Sequence, residues 1–589
     1  MPLATNPRGP QARRILVVMT GLVLLYVLVA FRLFSVMVLS GPELAKKAER
    51  QHQRVVLLEP RRGSILDRAG RELAVSVEVE SLYGVPSEIE NPHRVASLLS
   101  RVLGVPSAQL ERRLDSSRHF AWIERKLDPE RVERVKGLGL SQREVGFLTE
   151  SRRFYPKKRL ASHVLGFQGL DGQGLEGIER RHEEALKGEK GLLVAEKDAL
   201  GRTIVSGDRN FRPPIAGHDL LLTIDEGIQH IVERELDSLM AEYRPRGAVG
   251  IVLDPRTGEF LALAVRPEFN PNAVSEHRPG DWRNRAVTDA FEPGSTMKMF
   301  LAAAALEEGI VTPEQTFDVS EGFVEVSGRK IHDVHRYGRL TFAEVVKKSS
   351  NVGAVKVGLK LGAERYYRRL KAFGFGEKTG IDLSGESAGI LHPLKSWTVH
   401  TLPSAAIGQE VGVTPIQLAA AAAAVANGGV LMRPYLVSEI RSAGGETLRR
   451  FGPTEVRRVI SEETARKLTR ILSGATEEGG TGHKAALGDL KVAGKTGTAQ
   501  KVNPQTGRYS TTAYVSSFVG FVPADDPRLL VLIVVDEPRG KIYGGEVAAP
   551  AFRRIAEPAL TLLGVPPARP GSVVTVAMGP KNAGESVKR

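Results

Sequence analysis

The sequence predicts a mixed α/β protein of at least two domains, carried behind a single membrane-spanning helix. Three observations predict it. At 589 residues the chain exceeds what one hydrophobic core ordinarily supports. Residues 15–31 carry no charge, and the apolar character resumes after Arg32 through residue 39, so the whole stretch is long enough to cross a bilayer. In the C-terminal half, capped helices alternate with strong β segments, of which 514–521 and 529–535, joined through Pro523-Ala-Asp-Asp-Pro527, read as antiparallel sheet.

Composition narrows the function classes. Lys and Arg outnumber Asp and Glu by 82 to 68, a net charge of +14 that suits an anionic surface such as lipid head groups or wall polymer. Only 6% of residues are aromatic and no zinc-finger, RRM or basic-zipper pattern occurs, so nucleic acid is not the expected partner. The chain has no cysteine, which excludes disulfides, thiol catalysis and cysteine metal sites and fits an oxidising compartment.

Taken in order, Arg8, Arg13 and Arg14 place residues 1–14 as a cytoplasmic tail, 15–39 as the anchor, and everything after about residue 40 outside. A cleaved signal peptide would have a shorter apolar region and an A-x-A site, which does not follow here. Residues 40–214 form a first outer domain that mixes short β runs such as 54–58 with basic helical stretches. Within it, Arg62-Gly-Ser-Ile-Leu-Asp-Arg-Ala-Gly70 reads as a strand between turns. The cluster Arg152, Arg153, Lys157, Lys158 and Arg159 around Phe154-Tyr-Pro156 reads as a solvated face. No catalytic constellation is visible there. A boundary near Pro213-Pro214 opens a second domain, 215–563, in which Asp225 caps a helix with Ile228, Ile231, Val232, Leu236 and Leu239 on one face. Segments 248–253 and 260–265 read as a hairpin, and the Pro-, Gly-, Ser- and Lys-rich residues 564–589 as a disordered tail.

The chemistry starts at Phe291-Glu-Pro-Gly-Ser-Thr-Met-Lys-Met-Phe300. Pro293 and Gly294 interrupt the chain, Ser295 stands where a helix begins, and Lys298 falls one turn later on the same face. A serine there meets free N–H groups and the positive end of the helix dipole, with an amine in reach of its proton; the plain alternative is a helix cap. Ser327-Gly-Arg-Lys330 repeats the spacing, but Gly328 leaves it no helix. Thr341 caps a short helix ending at Lys348-Ser-Ser-Asn351, which puts Ser349 and Asn351 in a turn between helices, either as proton relay and amide binder or as ordinary caps. An alanine-rich helix from Pro415 to about residue 425 implies close packing. In Lys491-Val-Ala-Gly-Lys-Thr-Gly-Thr-Ala-Gln500, an edge strand bearing Lys495, Thr496 and Thr498, with Gly494 and Gly497 removing bulk, offers a cation and hydroxyls to a ligand carboxylate. Lys378-Thr-Gly380 carries the same tripeptide in what reads as a loop.

The order S-x-x-K, S-x-N, K-T-G, at positions 295, 349 and 495, resembles the class B penicillin-binding proteins, and within them the FtsI-type division transpeptidases. The likeness extends to Arg62–Gly70, Gly174-Leu-Glu-Gly-Ile-Glu179, Leu222-Thr-Ile-Asp225 and Tyr543-Gly-Gly-Glu-Val-Ala-Ala-Pro-Ala-Phe552, and so to nearly the whole chain. It implies an elongated pedestal of the dimerisation type over 40–214 and a serine β-lactamase-like transpeptidase domain over 215–563, an antiparallel sheet flanked by helices. It implies that Ser295 attacks the bond between two D-alanines of a peptidoglycan stem peptide, that neutral Lys298 takes the proton, and that Ser349 relays it. Asn351 would bind the substrate amide; Lys495, Thr496, Gly497 and Thr498 would form the carboxylate side. The N–H groups of Ser295 and Thr498 would make the oxyanion hole. No metal or cofactor is implied. The implied partners are peptidoglycan stem peptides, β-lactams, the inner membrane through one span, a polytopic glycosyltransferase and other division proteins at the septum, with the catalytic domain on the periplasmic side. The rivals are an elongation- or sporulation-type class B transpeptidase, a hydrolase of the same chemistry, and a catalytically silent penicillin-binding scaffold or sensor.

Overall fold

The computed structural model describes residues 10–41, 53–115, 120–197, 203–204 and 211–565. Most of the tail expected over 1–14, and nearly all of that expected over 564–589, lies outside the described residues. The chain divides into two compact units, residues 1–60 with 189–215, and residues 61–188 with 216–589. In the smaller unit, Pro10–Phe34 is one α-helix continued by a π-helical turn, Ser35–Leu39. It is the only helix among the described residues long and apolar enough to cross a membrane. Its Thr20 hydroxyl donates back to the Leu16 carbonyl at 2.7 Å, which satisfies that group within the helix. The same unit holds the strand Gln53–Leu58, antiparallel to Gly191–Lys197.

The larger unit contains a seven-stranded sheet whose longest strand, Glu72–Gly84, pairs with Val145–Phe154 and Ala121–Glu124. Helices Pro92–Leu103, Ser107–Leu114 and Pro129–Lys136 cover part of it, burying Leu82, Val95, Leu99, Leu110 and Val132. On its other side, Ile65–Leu66 runs parallel to Asp219–Leu222, which pairs in turn with Val437–Arg441. One expectation is corrected here. Arg153 is no part of a solvated face: it is buried, its Nε 2.6 Å from Glu179 Oε1, while Arg62 Nε reaches Glu179 Oε2 at 2.7 Å and its Nη2 reaches Glu183 at 2.6 Å. Alternation along Val145–Phe154 turns Arg153 inward beside a carboxylate held down by both arginines against the opposing effect of burial. Its neighbours Arg152, Lys157 and Arg159 do stay at the surface, paired with Asp128, Glu226 and Glu268.

The second sheet positions the chemistry. Its five strands lie in the order Phe260–Arg266, Gly247–Leu253, Leu529–Asp536, Tyr509–Val522, Ala493–Val502, every pair antiparallel. Both faces are buried, and alternation sorts the side chains. Leu530, Leu532 and Val534 join a core with the helices Met297–Glu307 and Pro415–Ala426, while Val531, Ile533 and Val535 pack against Glu226–Tyr243 and Gly544–Leu562. Asp225 caps its helix as expected, accepting from the amides of Gly227 (2.9 Å) and Ile228 (3.1 Å). The alanine-rich helix is buried all round apart from its C-terminal end and starts with a Thr414/Gln417 capping box. Ala493–Val502 is left as the sheet edge, with one side free.

Candidate active site

Ser295 stands on a short 3-10 turn, Gly294–Thr296, that feeds the helix Met297–Glu307. Gly294 has φ 55°, and a Cβ there would lie 2.9 Å from the Thr498 carbonyl oxygen, so only glycine makes this entry without strain. The Gly294 amide donates to the Gly408 carbonyl at 3.1 Å and the Thr296 hydroxyl to the Pro293 carbonyl at 2.8 Å, which fixes the turn. Ser295 itself is half-buried and accessible. The helix behind it is apolar on every side, with Met297, Met299 and Phe300 buried, so Lys298 is only 2% exposed.

A second element meets that lysine. The helix Phe342–Lys348, opened by a Thr341/Glu344 capping box, ends at Ser349, whose backbone is left-handed at φ 60° and ψ 37°. For a serine this conformation costs on the order of 1 kcal/mol. Lys298 Nζ donates to the Ser349 carbonyl (2.6 Å), to Asn351 Oδ1 (2.7 Å) and to Ser349 Oγ (3.3 Å). Lys495, fully buried on the edge strand, donates to the same Ser349 Oγ at 2.9 Å. One hydroxyl therefore sits between two lysines. Burial drives the Lys298 ammonium down to about 7 against a weaker pull upward from Asp333, and burial together with the Lys298 charge pushes Lys495 well below its ordinary value.

The edge strand is pressed onto the serine turn at Gly497, where a Cβ would come 2.9 Å from the Pro293 carbonyl oxygen and 2.3 Å from Ser517 Oγ. Thr498 is half-buried, its hydroxyl accepting from the Gly544 amide at 3.1 Å, whereas Thr496 is buried and its hydroxyl donates to Thr481 at 2.9 Å. A cleft of about 570 Å³ lies alongside, lined in part by Phe291 and Glu292 just before the turn and by Ala499 and Gln500 just after Thr498. Glu292 accepts from the Glu410 amide (2.8 Å) and the Tyr509 hydroxyl (3.1 Å), and burial raises its pKa.

The structure thus gathers Lys298, Ser349, Asn351 and Lys495 through direct contacts and lays Gly497 and Thr498 against the turn that carries Ser295. Both repeats of the motifs lie elsewhere: Ser327 is in the tight turn of the hairpin Phe323–Val326 and Arg329–His332, and Lys378 is in a loop where Glu386 holds Thr379. Sequence reasoning missed Asp333, Thr481, Glu292 and Tyr509. Glu292 stands three residues before Ser295 in the motif's own stretch and was passed over because nothing local shows its partners, whereas no spacing links Asp333, Thr481 or Tyr509 to the motifs.

Comparison with known proteins decides the family. Residues 248–557 match the penicillin binding protein transpeptidase domain and residues 57–222 the penicillin-binding protein dimerisation domain. Stage V sporulation protein D of Bacillus subtilis is 38% identical over 563 residues, covering 94% of this chain and 86% of that protein. The chain belongs to the class B penicillin-binding proteins. Peptidoglycan D,D-transpeptidase FtsI of Escherichia coli K12 is 33% identical over 538 residues, covering 90% of this chain and 88% of its own length. Penicillin binding protein 3 of Mycobacterium tuberculosis, crystallised with aztreonam, is 28% identical with a TM-score of 0.68, the match spanning 87% of this chain and 99% of that one. As a class B penicillin-binding protein, this chain is a serine-type peptidoglycan D,D-transpeptidase, and its mixed α/β architecture with an N-terminal apolar helix is that of the family.

Proposed function

We propose that this class B penicillin-binding protein cross-links peptidoglycan stem peptides through an acyl-enzyme on Ser295. The observation that carries the reading is the shared hydroxyl of Ser349, held at 3.3 Å by Lys298, which lies one helical turn along from Ser295, and at 2.9 Å by Lys495. Lys298, close to neutrality at physiological pH, takes the Ser295 proton as Oγ attacks the carbonyl between the two D-alanines. The amides of Ser295 and Thr498 receive the oxyanion. The C–N bond breaks, Ser349 passes the proton to the leaving amine, and terminal D-alanine departs. An amine of a neighbouring strand then attacks the ester, forming the cross-link and returning the proton to Ser295. Asn351 orients the substrate amide, and Lys495, Thr496 and Thr498 face the terminal carboxylate, with Thr481 steadying Thr496. Product analysis with a stem-peptide donor and an amine acceptor tests this: amide product is expected, and exclusive release of free acid contradicts it in favour of a hydrolase.

In this reading the catalytic domain works on the periplasmic side of the inner membrane, which the single apolar helix supports, and the FtsI relative supports work at the division septum beside a polytopic glycosyltransferase. A second reading, synthesis during sporulation, is favoured by the 38% identity to stage V sporulation protein D.

A further inference from the structure

Outside the three motifs, one carboxylate organises the second of them. Asp333 follows the hairpin strand Arg329–His332, and its amide donates to the Gly322 carbonyl at 3.0 Å, tying it to the base of that hairpin. Its Oδ1 accepts from the amides of Asn351 and, at 3.0 Å, Val352, and its Oδ2 accepts from the Ser350 hydroxyl at 2.7 Å. These are the first amides of the helix Asn351–Leu361, where an unpaired N–H is costly and a negative charge is favoured. The next amide, Gly353, goes to Ser350 Oγ at 2.9 Å, so Asp333 and Ser350 together complete the cap. The hairpin adds a further hold. The Asn351 side-chain amide donates to the His332 carbonyl at 2.9 Å while its oxygen accepts from Lys298 at 2.7 Å, so the amide is oriented from both ends.

We propose that Asp333 is a positioning residue of the acylation reaction, holding the Ser349–Asn351 turn against Lys298 and placing a negative charge beside that lysine. The inference rests on Ser295 acylation as read above. The turn needs such a hold because Ser349 is kept in a left-handed conformation that the isolated sequence disfavours. The charge acts in a buried setting where it counts: Asp333 is the one group that opposes the burial-driven fall in the Lys298 pKa. The other titratable groups nearby do not take over this role. Lys495 is itself pushed well below its ordinary value by burial and by the Lys298 charge, Tyr337 is raised by burial and by Asp333, and the His332 ring packs on Phe323 at 5.7 Å.

The test is the second-order rate of labelling by a fluorescent penicillin, from about pH 5 to pH 9, in the full-length protein and in Asp333→Asn, Asp333→Glu and Ser350→Ala. Asp333 favours the protonated lysine, so its neutralisation lets Lys298 lose its proton at lower pH. The acid limb of the Asp333→Asn profile is therefore expected to move to lower pH while the plateau falls about tenfold. Asp333→Glu keeps the charge and is expected to return the limb toward the wild-type position. Ser350→Ala keeps the charge and loses two bonds of the cap, those to Asp333 and from the Gly353 amide, so it is expected to lower the plateau a few-fold with the limb unmoved. An Asp333→Asn limb that coincides with wild type overturns the proposal, as does Ser350→Ala with a wild-type plateau, which decides the matter even if Asp333→Asn does not fold. Wild type that is not labelled at all overturns the Ser295 reading on which it stands.

Discussion

A serine at the start of a helix is usually a cap, and Lys298 one turn along is what favours the proposed reading of Ser295 as a nucleophile. Its amine donates to Ser349 and Asn351 across the gap, its side chain lines a small apolar cavity with Leu301, Phe342, Val345 and Val357, and burial pushes it down to about 7. Because a base must be neutral to accept a proton, acylation is expected to weaken as pH falls through about 7, by roughly tenfold per unit on the acid limb. Stopped-flow or gel-based labelling rates check this, and a flat profile between about pH 5 and pH 8 contradicts Lys298 as the base. This pair was legible because its geometry is local: four residues at the head of a helix suffice to place both groups on one face. Asp333 was not, since its contact with the 350–352 turn depends on where a hairpin ends. Arg153 misled for the same reason, its partner Glu179 lying 26 residues away and outside any local charge pattern.

At the scale of elements, the strand that bears Lys495 must lie flat against the turn that bears Ser295, and Gly497 permits it. Gly497→Ala would press a Cβ against the Pro293 carbonyl, which as backbone has little freedom to yield, and against Ser517 Oγ. Overpacking of this kind costs about 1 to 3 kcal/mol, so a lower unfolding midpoint is expected, together with labelling slowed about tenfold as the strand is forced away from Ser295. Wild-type stability and labelling in that variant would show that the two elements are not in such close contact. The five-stranded sheet was visible in the sequence because its strands are long, β-rich and separated by clear turns. The seven-stranded sheet was not, because Ile65–Leu66 is only two residues long and finds Asp219–Leu222 and Val437–Arg441 from distant parts of the chain. Local pattern identifies a strand; it does not say which strand it joins.

For the molecule as a whole, the N-terminal apolar helix fits a single-pass inner-membrane protein, and the net charge of +14 suits an anionic surface. A single span whose flank exposes Leu24, Leu25, Tyr26 and Leu28 offers a surface to a partner helix, and pairing with a glycosyltransferase in the same membrane would raise the local concentration of nascent strand. If the work is septal, depletion is expected to give filaments, whereas cells that round up while still dividing would contradict the septal role. Charge and anchor were both plain in the sequence; the cellular role was not, because the chain is about equally similar to FtsI and to stage V sporulation protein D. The most direct test is intact mass and peptide mapping of the full-length protein after exposure to a β-lactam. One adduct, on the peptide containing Ser295 and absent from Ser295→Ala, is the expected result. An adduct on the peptide containing Ser327, or labelling that persists in Ser295→Ala, would contradict Ser295 as the nucleophile.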